Sequence, residues 1–189
     1  MQSKTIKFVT TNTHKVIEAR SVLKAYPLHL EHINVSRVEI QAESVETIAK
    51  YSALQAAKDY TVPLIVEDTG LFIDALNGFP GPYASHVYAT ISTTGILKLL
   101  KDVNNRRAFF RSAVAFCDSN RNLICFTGVC LGSISMATLG TNGFGFDPIF
   151  KPELGSGKTF GEMEFDEKIS MSHRSIALRK FANWYTTIF

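Results

Sequence analysis

Long hydrophobic runs are missing from this chain, so no membrane-spanning helix is expected. Cysteine is scarce. Cys117, Cys125 and Cys130 are the three present, and they lie inside β-like apolar stretches with neither zinc spacing nor the look of a disulfide framework. Buried, reduced thiols are the expected reading. Charge of one sign is also lacking. A net +3 over 189 residues is too small to argue for a nucleic-acid partner. Basic residues come as isolated pairs, Arg106-Arg107 and Arg179-Lys180, rather than as an arm. The first residues show no charged-then-apolar pattern, and cytoplasm is the expected compartment. What is present is an ordinary globular composition, long enough for one domain or two small lobes with a real core.

One stretch organises the rest. Leu64-Ile65-Val66 is a short, β-branched apolar run that fits a buried strand. Glu67 and Asp68 follow at once, then Thr69-Gly70. The expected picture is two acids at a strand's carboxyl end, where open α/β sheets place their ligands. A bare carboxylate in such a half-dry place is costly unless a cation or hydrogen bonds offset it. Asn77-Gly78-Phe79-Pro80-Gly81-Pro82 then forms a turn-rich loop able to hold Tyr83 and Ser85 at one side of a cleft. An ordinary strand and surface loop fit this segment equally well.

Before that stretch, Thr5–Val9 reads as a strand running into a polar turn, Thr10-Thr11-Asn12-Thr13-His14-Lys15. Val16, Ile17, Ala19, Val22 and Leu23 continue at helical spacing, with Asn12 or Thr13 as the cap. A helix start offers unpaired N–H groups and partial positive charge; the hydroxyls of Thr10 and Thr11, with Asn12 and Lys15, add donors that suit a polyphosphate. A plain capped helix fits the same residues. Residues 26–40 read as a loop and second strand ending at Val38-Glu39-Ile40, and Ser44 begins a helix to about Asp59. This alternation argues for an α/β fold.

Farther on, a short helix is expected over Thr94–Val103. Arg107–Cys117 and Leu123–Ile134 form a long hairpin about the turn Asp118–Asn122, which makes the sheet mixed. Gly143-Phe144-Gly145-Phe146-Asp147 puts rings on a tight glycine turn, fit either to stack a planar base or to close the core. Gly155-Ser156-Gly157-Lys158-Thr159 suggests a P-loop, but Pro152 stands where that motif needs glycine and no helix pattern follows, so a surface loop is expected. Ser172 then caps an amphipathic helix bearing Ile176, Ala177, Leu178, Phe181 and Trp184. His173 and Arg174 stand on its first turn, where cations oppose the helix dipole unless an anion answers them.

Together these parts suit a magnesium-dependent nucleotide phosphohydrolase: a helix-terminus cradle, carboxylates, held rings and a basic end. The same motifs, in the same order over nearly the whole chain, resemble the Ham1/inosine triphosphatase family. They are Thr10–Lys15, Val66–Leu71, Asn77–Tyr83, Gly143–Phe150, Thr159–Met163 and Ser172-His173-Arg174 before Ala177-Leu178. The sequence departs from that pattern at Thr11, where glycine is frequent, at Phe146, where Tyr or Trp is common, at Gly161 for alanine, and at Ala84-Ser85-His86 for Ser-Ala-Arg.

The resemblance implies one pyrophosphatase domain over residues 1–189 with a long twisted mixed sheet flanked by helices, two lobes and a central cleft. It implies hydrolysis of inosine, deoxyinosine and xanthosine triphosphates to the monophosphate and pyrophosphate, with Mg2+, in a homodimer that binds neither membrane nor nucleic acid. Asn12 and Lys15 would hold the triphosphate beside Thr10, Thr11, Thr69 and Ser85. Asp68 would be the catalytic and metal-linked acid, with Glu39 the other metal-side acid. Phe144, Gly145 and Phe146 would wall the base, Asp147 would support their loop, and Lys168, His173 and Arg174 would contact base and phosphate. A Maf-like pyrophosphatase for other modified nucleotides and a non-catalytic nucleotide sensor are the alternatives.

Overall fold

The computed structural model describes residues 4–36, 40–60 and 63–188. Seven strands form one mixed sheet in the order β2-β1-β3-β5-β6-β7, with β4 paired to β3. They are β1 (Lys4–Val9), β2 (Leu28–Ile33), β3 (Leu64–Ile73), β4 (Pro80–Gly81), β5 (Arg107–Cys117), β6 (Leu123–Ile134) and β7 (Phe150–Pro152). The helices are α1 (Thr13–Leu23), α2 (Val45–Asp59), α3 (Ala84–Leu99), α4 (Phe165–Met171) and α5 (His173–Ile188). The chain divides into two compact units: residues 1–68, 112–128 and 173–189, and residues 69–111 and 129–172.

In the first unit β1 pairs parallel with β2 from Lys4↔Leu28 to Val9↔Ile33, and with β3 at Lys7↔Leu64 and Phe8↔Ile65. Short helical connections between parallel strands produce this arrangement. Helix α2 lays Val45, Ala49, Ala53 and Ala56 on Val9, Leu64, Val66, Ala113 and Ala115. Its small side chains let helix and sheet approach closely, and Ser44 caps its start by accepting from Thr47 N–H. Helix α5 stacks Phe181, Trp184 and Tyr185 on Phe116 of β5. A side chain at Gly128 of β6 would put its Cβ on the His173 carbonyl and within 2.6 Å of the Ala177 nitrogen, so glycine seats the first turn of α5.

The second unit has its own core of Leu71, Ile73, Ile96, Phe110, Phe146, Phe150 and Phe160. The Arg106 guanidinium ties the carbonyls of Leu100, Ile134 and Ser135 together at its edge.

Three expectations need correction. Glu67 and Asp68 lie in the middle of β3 rather than at its end, because Leu71-Phe72-Ile73 resumes the strand. Gly70 is the strand residue that permits this: a Cβ there would come within 2.7 Å of both the Phe72 ring and the Gly81 carbonyl. Strand β2 closes at Ile33, well before Ile40; Val38 and Glu39 lie outside the described residues. The helix expected at Thr94 begins at Ala84 and ends at Leu99, with a kink at Ser92 (φ 56°, ψ −167°). Helix α4 was not anticipated at all, being one short element of seven residues. The P-loop look-alike is a turn, and Thr159 there forms a capping box with Glu162.

Candidate active site

Residues expected in the site occur in both units, and each group has its own chemistry. In the first unit β1 ends and Asn12 caps α1, its side chain accepting from Lys15 N–H at 3.2 Å. Asn12 N–H donates to the Thr10 hydroxyl at 3.1 Å, so the turn is closed locally. Thr10 is buried and Thr11 exposed.

Lys15 reaches from the first turn of α1 to β3. Its ammonium lies 2.8 Å from Glu67 Oε2 and donates to the Glu67 carbonyl at 3.2 Å. Glu67 is fully buried, and Ser112 of β5 donates to its Oε1. Arg174, buried on the first turn of α5, brings Nε to 3.1 Å from Oε1 of Glu67 and pairs its Nη1 with Glu18 of α1. Burial alone would push the Glu67 carboxyl up, but Arg174 and then Lys15 outweigh it and hold it well below the ordinary carboxylate value. Burial works against the Arg174 charge too, and Glu67 with Glu18 more than restores it.

The two basic residues at the start of α5 are therefore not surface residues. The anion answering Arg174 belongs to the protein itself, and His173 beside it is also buried. Glu18 and Ser112 escaped the sequence reading. A signal for Glu18 existed, since it sits four residues before Val22 on the apolar face of α1; Ser112 carried none, being one small polar residue in an apolar strand.

With Glu67 committed to Lys15, Arg174 and Ser112, Asp68 is the half-buried carboxylate next along β3. Among the described residues no three His, Cys, Asp or Glu side chains converge as a metal cage. Magnesium does not need one: it binds through one or two carboxylates, substrate phosphates and retained waters. Asp68 fits that donor chemistry; Glu67 does not, because its charge is already matched. Glu39 lies outside the described residues.

In the second unit the glycine-held loop is folded by Asp147. Its Oδ2 accepts from Phe144 N–H at 2.8 Å and from the Lys168 ammonium at 2.6 Å. Gly143, at φ +75°, faces that carboxylate so closely that a Cβ would clash with it. Lys168, from α4, is buried, with its ammonium 4.8 Å from the centre of the Phe144 ring. The two rings of the loop then part company. Phe144 is half-exposed, as is Gly145, whereas Phe146 is only 3% exposed and sits in the core, edge-on to Tyr88. Thr69 is half-buried on β3, and Ser85 is exposed on the first turn of α3.

An open mixed α/β sheet bearing a carboxylate–cation centre on its third strand defines the class of protein. The chain belongs to the Ham1 family, whose pattern it matches over residues 6–184. It is 46% identical over 184 residues to the dITP/XTP pyrophosphatase of Hyperthermus butylicus, covering 97% of this chain and 96% of that one. It is 47% identical over 181 residues to the dITP/XTP pyrophosphatase of Methanothermobacter marburgensis, covering 96% of each. Among solved structures, a HAM1 protein from Coxiella burnetii superposes with a TM-score of 0.84 at 29% identity, over 97% of this chain and 99% of that one. The Ham1 protein of Staphylococcus aureus gives 0.81 at 25% identity, over 96% and 98%.

Proposed function

We propose that this chain is a nucleoside triphosphate pyrophosphatase that hydrolyses deaminated purine nucleotides, dITP, XTP and ITP, to the monophosphate and pyrophosphate. The observation that carries the reading is identity of 46–47% over nearly the full length of relatives named for dITP and XTP. The first unit supports it with a capped helix start, a lysine and two carboxylates of different standing on β3.

The phosphate chain is assigned to the α1 turn, where Thr10, Thr11, Asn12 and Lys15 offer donors. Lys15 is held at its post by Glu67 and so presents a fixed rather than a searching charge. Asp68 is the acid of the reaction. It accepts a proton from, or orients, the water that attacks the α-phosphorus. Asp68, with Glu39, would hold a magnesium ion; when bound, the ion offsets phosphate charge and the negative charge that builds on departing pyrophosphate. In the second unit the exposed face of Phe144 is assigned to the base, with Gly145 beside it. Asp147 and Lys168 hold that ring in place, and Phe146 supports the loop from the core. Thr69 and Ser85 are assigned to substrate, and Arg174 and His173 fix the start of α5.

A donor that meets the 6-oxo group of a deaminated purine would be left unpaired by the amino group of adenine, which is the basis proposed for selection. The chain is read as one domain acting as a cytoplasmic homodimer, without membrane or nucleic-acid partners. No helix among the described residues is long and apolar enough to cross a membrane.

Pyrophosphate release from dITP, XTP and ITP against dATP and dGTP, with and without magnesium, tests the reading. Fast release from the deaminated set in magnesium supports it, and equal rates across all five nucleotides would refute it.

A further inference from the structure

The turn between β1 and α1 has a feature that neither its motif nor its cap explains. The register of β1 and β2 ends at Val9↔Ile33, and Thr10 N–H extends the ladder by donating to the Ile33 carbonyl at 3.1 Å. The Thr10 carbonyl has left the sheet. It is taken instead by a side chain, Nε2 of His32 on β2, at 2.8 Å. A carbonyl can only accept, so the ring carries its proton on Nε2.

A peptide unit is planar and trans, so its C=O and its N–H point in opposite directions. Holding the Thr10 carbonyl toward β2 turns the N–H of Thr11 the other way. Thr11 is exposed, and no described residue accepts that N–H. If this peptide rotated, a carbonyl oxygen would replace the N–H on the side of the turn that offers donors. An anion there would then meet a lone pair rather than a hydrogen.

We propose that His32 is a positioning residue for phosphate binding: it locks the Thr10–Thr11 peptide plane so that the Thr11 N–H faces a phosphate oxygen. The proposal rests on the assignment of this turn to the phosphate chain. His32 itself touches no phosphate and acts through the backbone. His29, three residues earlier on β2, lines the same open groove at the end of α1 but makes no bond to the turn, which makes it the natural control.

The test is direct binding of inorganic pyrophosphate in magnesium buffer, measured by calorimetry on the full chain, beside melting temperature and dITP turnover. His32→Phe removes the donor. It is expected to weaken pyrophosphate about five- to tenfold, the scale of one lost hydrogen bond, and to raise KM for dITP more than it lowers kcat. His32→Gln, whose amide can take the place of Nε2–H, is expected to restore most of the affinity, and His29→Gln to leave it unchanged. If His32→Phe does not fold, His32→Ala replaces it with the same two outcomes. Equal pyrophosphate affinity in wild type and the donor-less variant overturns the proposal, as does a loss that His32→Gln shares in full or a wild type that binds no pyrophosphate. A wild type that binds pyrophosphate yet releases none from dITP overturns the proposed activity instead and leaves the binding comparison standing.

Discussion

Around Glu67, the first unit closes two cations, Lys15 and Arg174, on one buried carboxylate, and a second acid, Glu18, takes the far side of Arg174. Around Asp147, the second unit closes one cation, Lys168, on a carboxylate whose other task is to fold a glycine loop. The first cluster joins three elements far apart in sequence; the second joins a loop to the next helix. The difference teaches what each buried charge is for. In the first unit charge fixes charge, so that a lysine and the start of a helix stay put. In the second, charge fixes backbone, so that one aromatic ring stays outside the core.

Breaking the first cluster beside its acid should give the largest effect. Asp68→Asn is expected to lower pyrophosphate release from dITP by at least about 10²-fold while the protein stays folded. Turnover and a thermal melt on the same preparation check both halves.

Next comes Arg174→Met. It leaves Glu67 and Glu18 buried without their guanidinium, and a loss of about 3–5 kcal/mol in urea unfolding is expected. Lys168→Met should cost less, since a single buried carboxylate loses its partner, and should raise KM for dITP through a loosened Phe144.

The two rings of the loop sharpen the contrast further. Phe144→Ala is expected to weaken substrate by about 1–3 kcal/mol, read as a rise in KM, with stability nearly unchanged. Phe146→Ala is expected to cost about 3–5 kcal/mol of stability, read by denaturant, as a core cavity does.

Acid probes the first cluster. The folded Glu67 carboxyl lies well below its ordinary value, so its contribution is fully present above about pH 4.5 and fades as pH falls beneath that. Melting temperature should therefore fall on acidification below that point, and Glu67→Gln should flatten the slope. At the small end, Lys158→Ala breaks the exposed pair with Glu167 at 3.4 Å and is expected to change stability by less than about 1 kcal/mol in the same urea assay.

Local patterns in the sequence carried much of the fold. Asn12 and Ser44 cap the helices expected of them, α2 ends at Asp59, and β5 and β6 run over the residues their alternation marks. Each of these depends on neighbours a few positions away. The hairpin of β5 and β6 already made the sheet mixed, and the resemblance carried the family.

Other features were not legible for reasons of distance or weakness. Gly70 looks like a strand's end until the Phe72 ring and the Gly81 carbonyl are seen to press on it. The first half of α3, rich in Ser, Thr and β-branched residues, has little helical propensity and is interrupted at Ser92. The site shows the same limit. Arg174 and Glu18 stand 156 positions apart, so the dipole misfit at α5 told of an anion but not that the protein supplies it. Phe144 and Phe146 are alike in sequence; only the fold sends one to solvent and the other to the core.

Gly128 has a consequence beyond its own strand. The space between β6 and the opening turn of α5 is thinner than a methyl group, so the seat of Arg174 is set by a residue that contributes no side chain. A saturation library at that codon, selected for folded protein, would collapse to a single amino acid. The tightest tolerance in the first unit thus belongs to a gap rather than to a group.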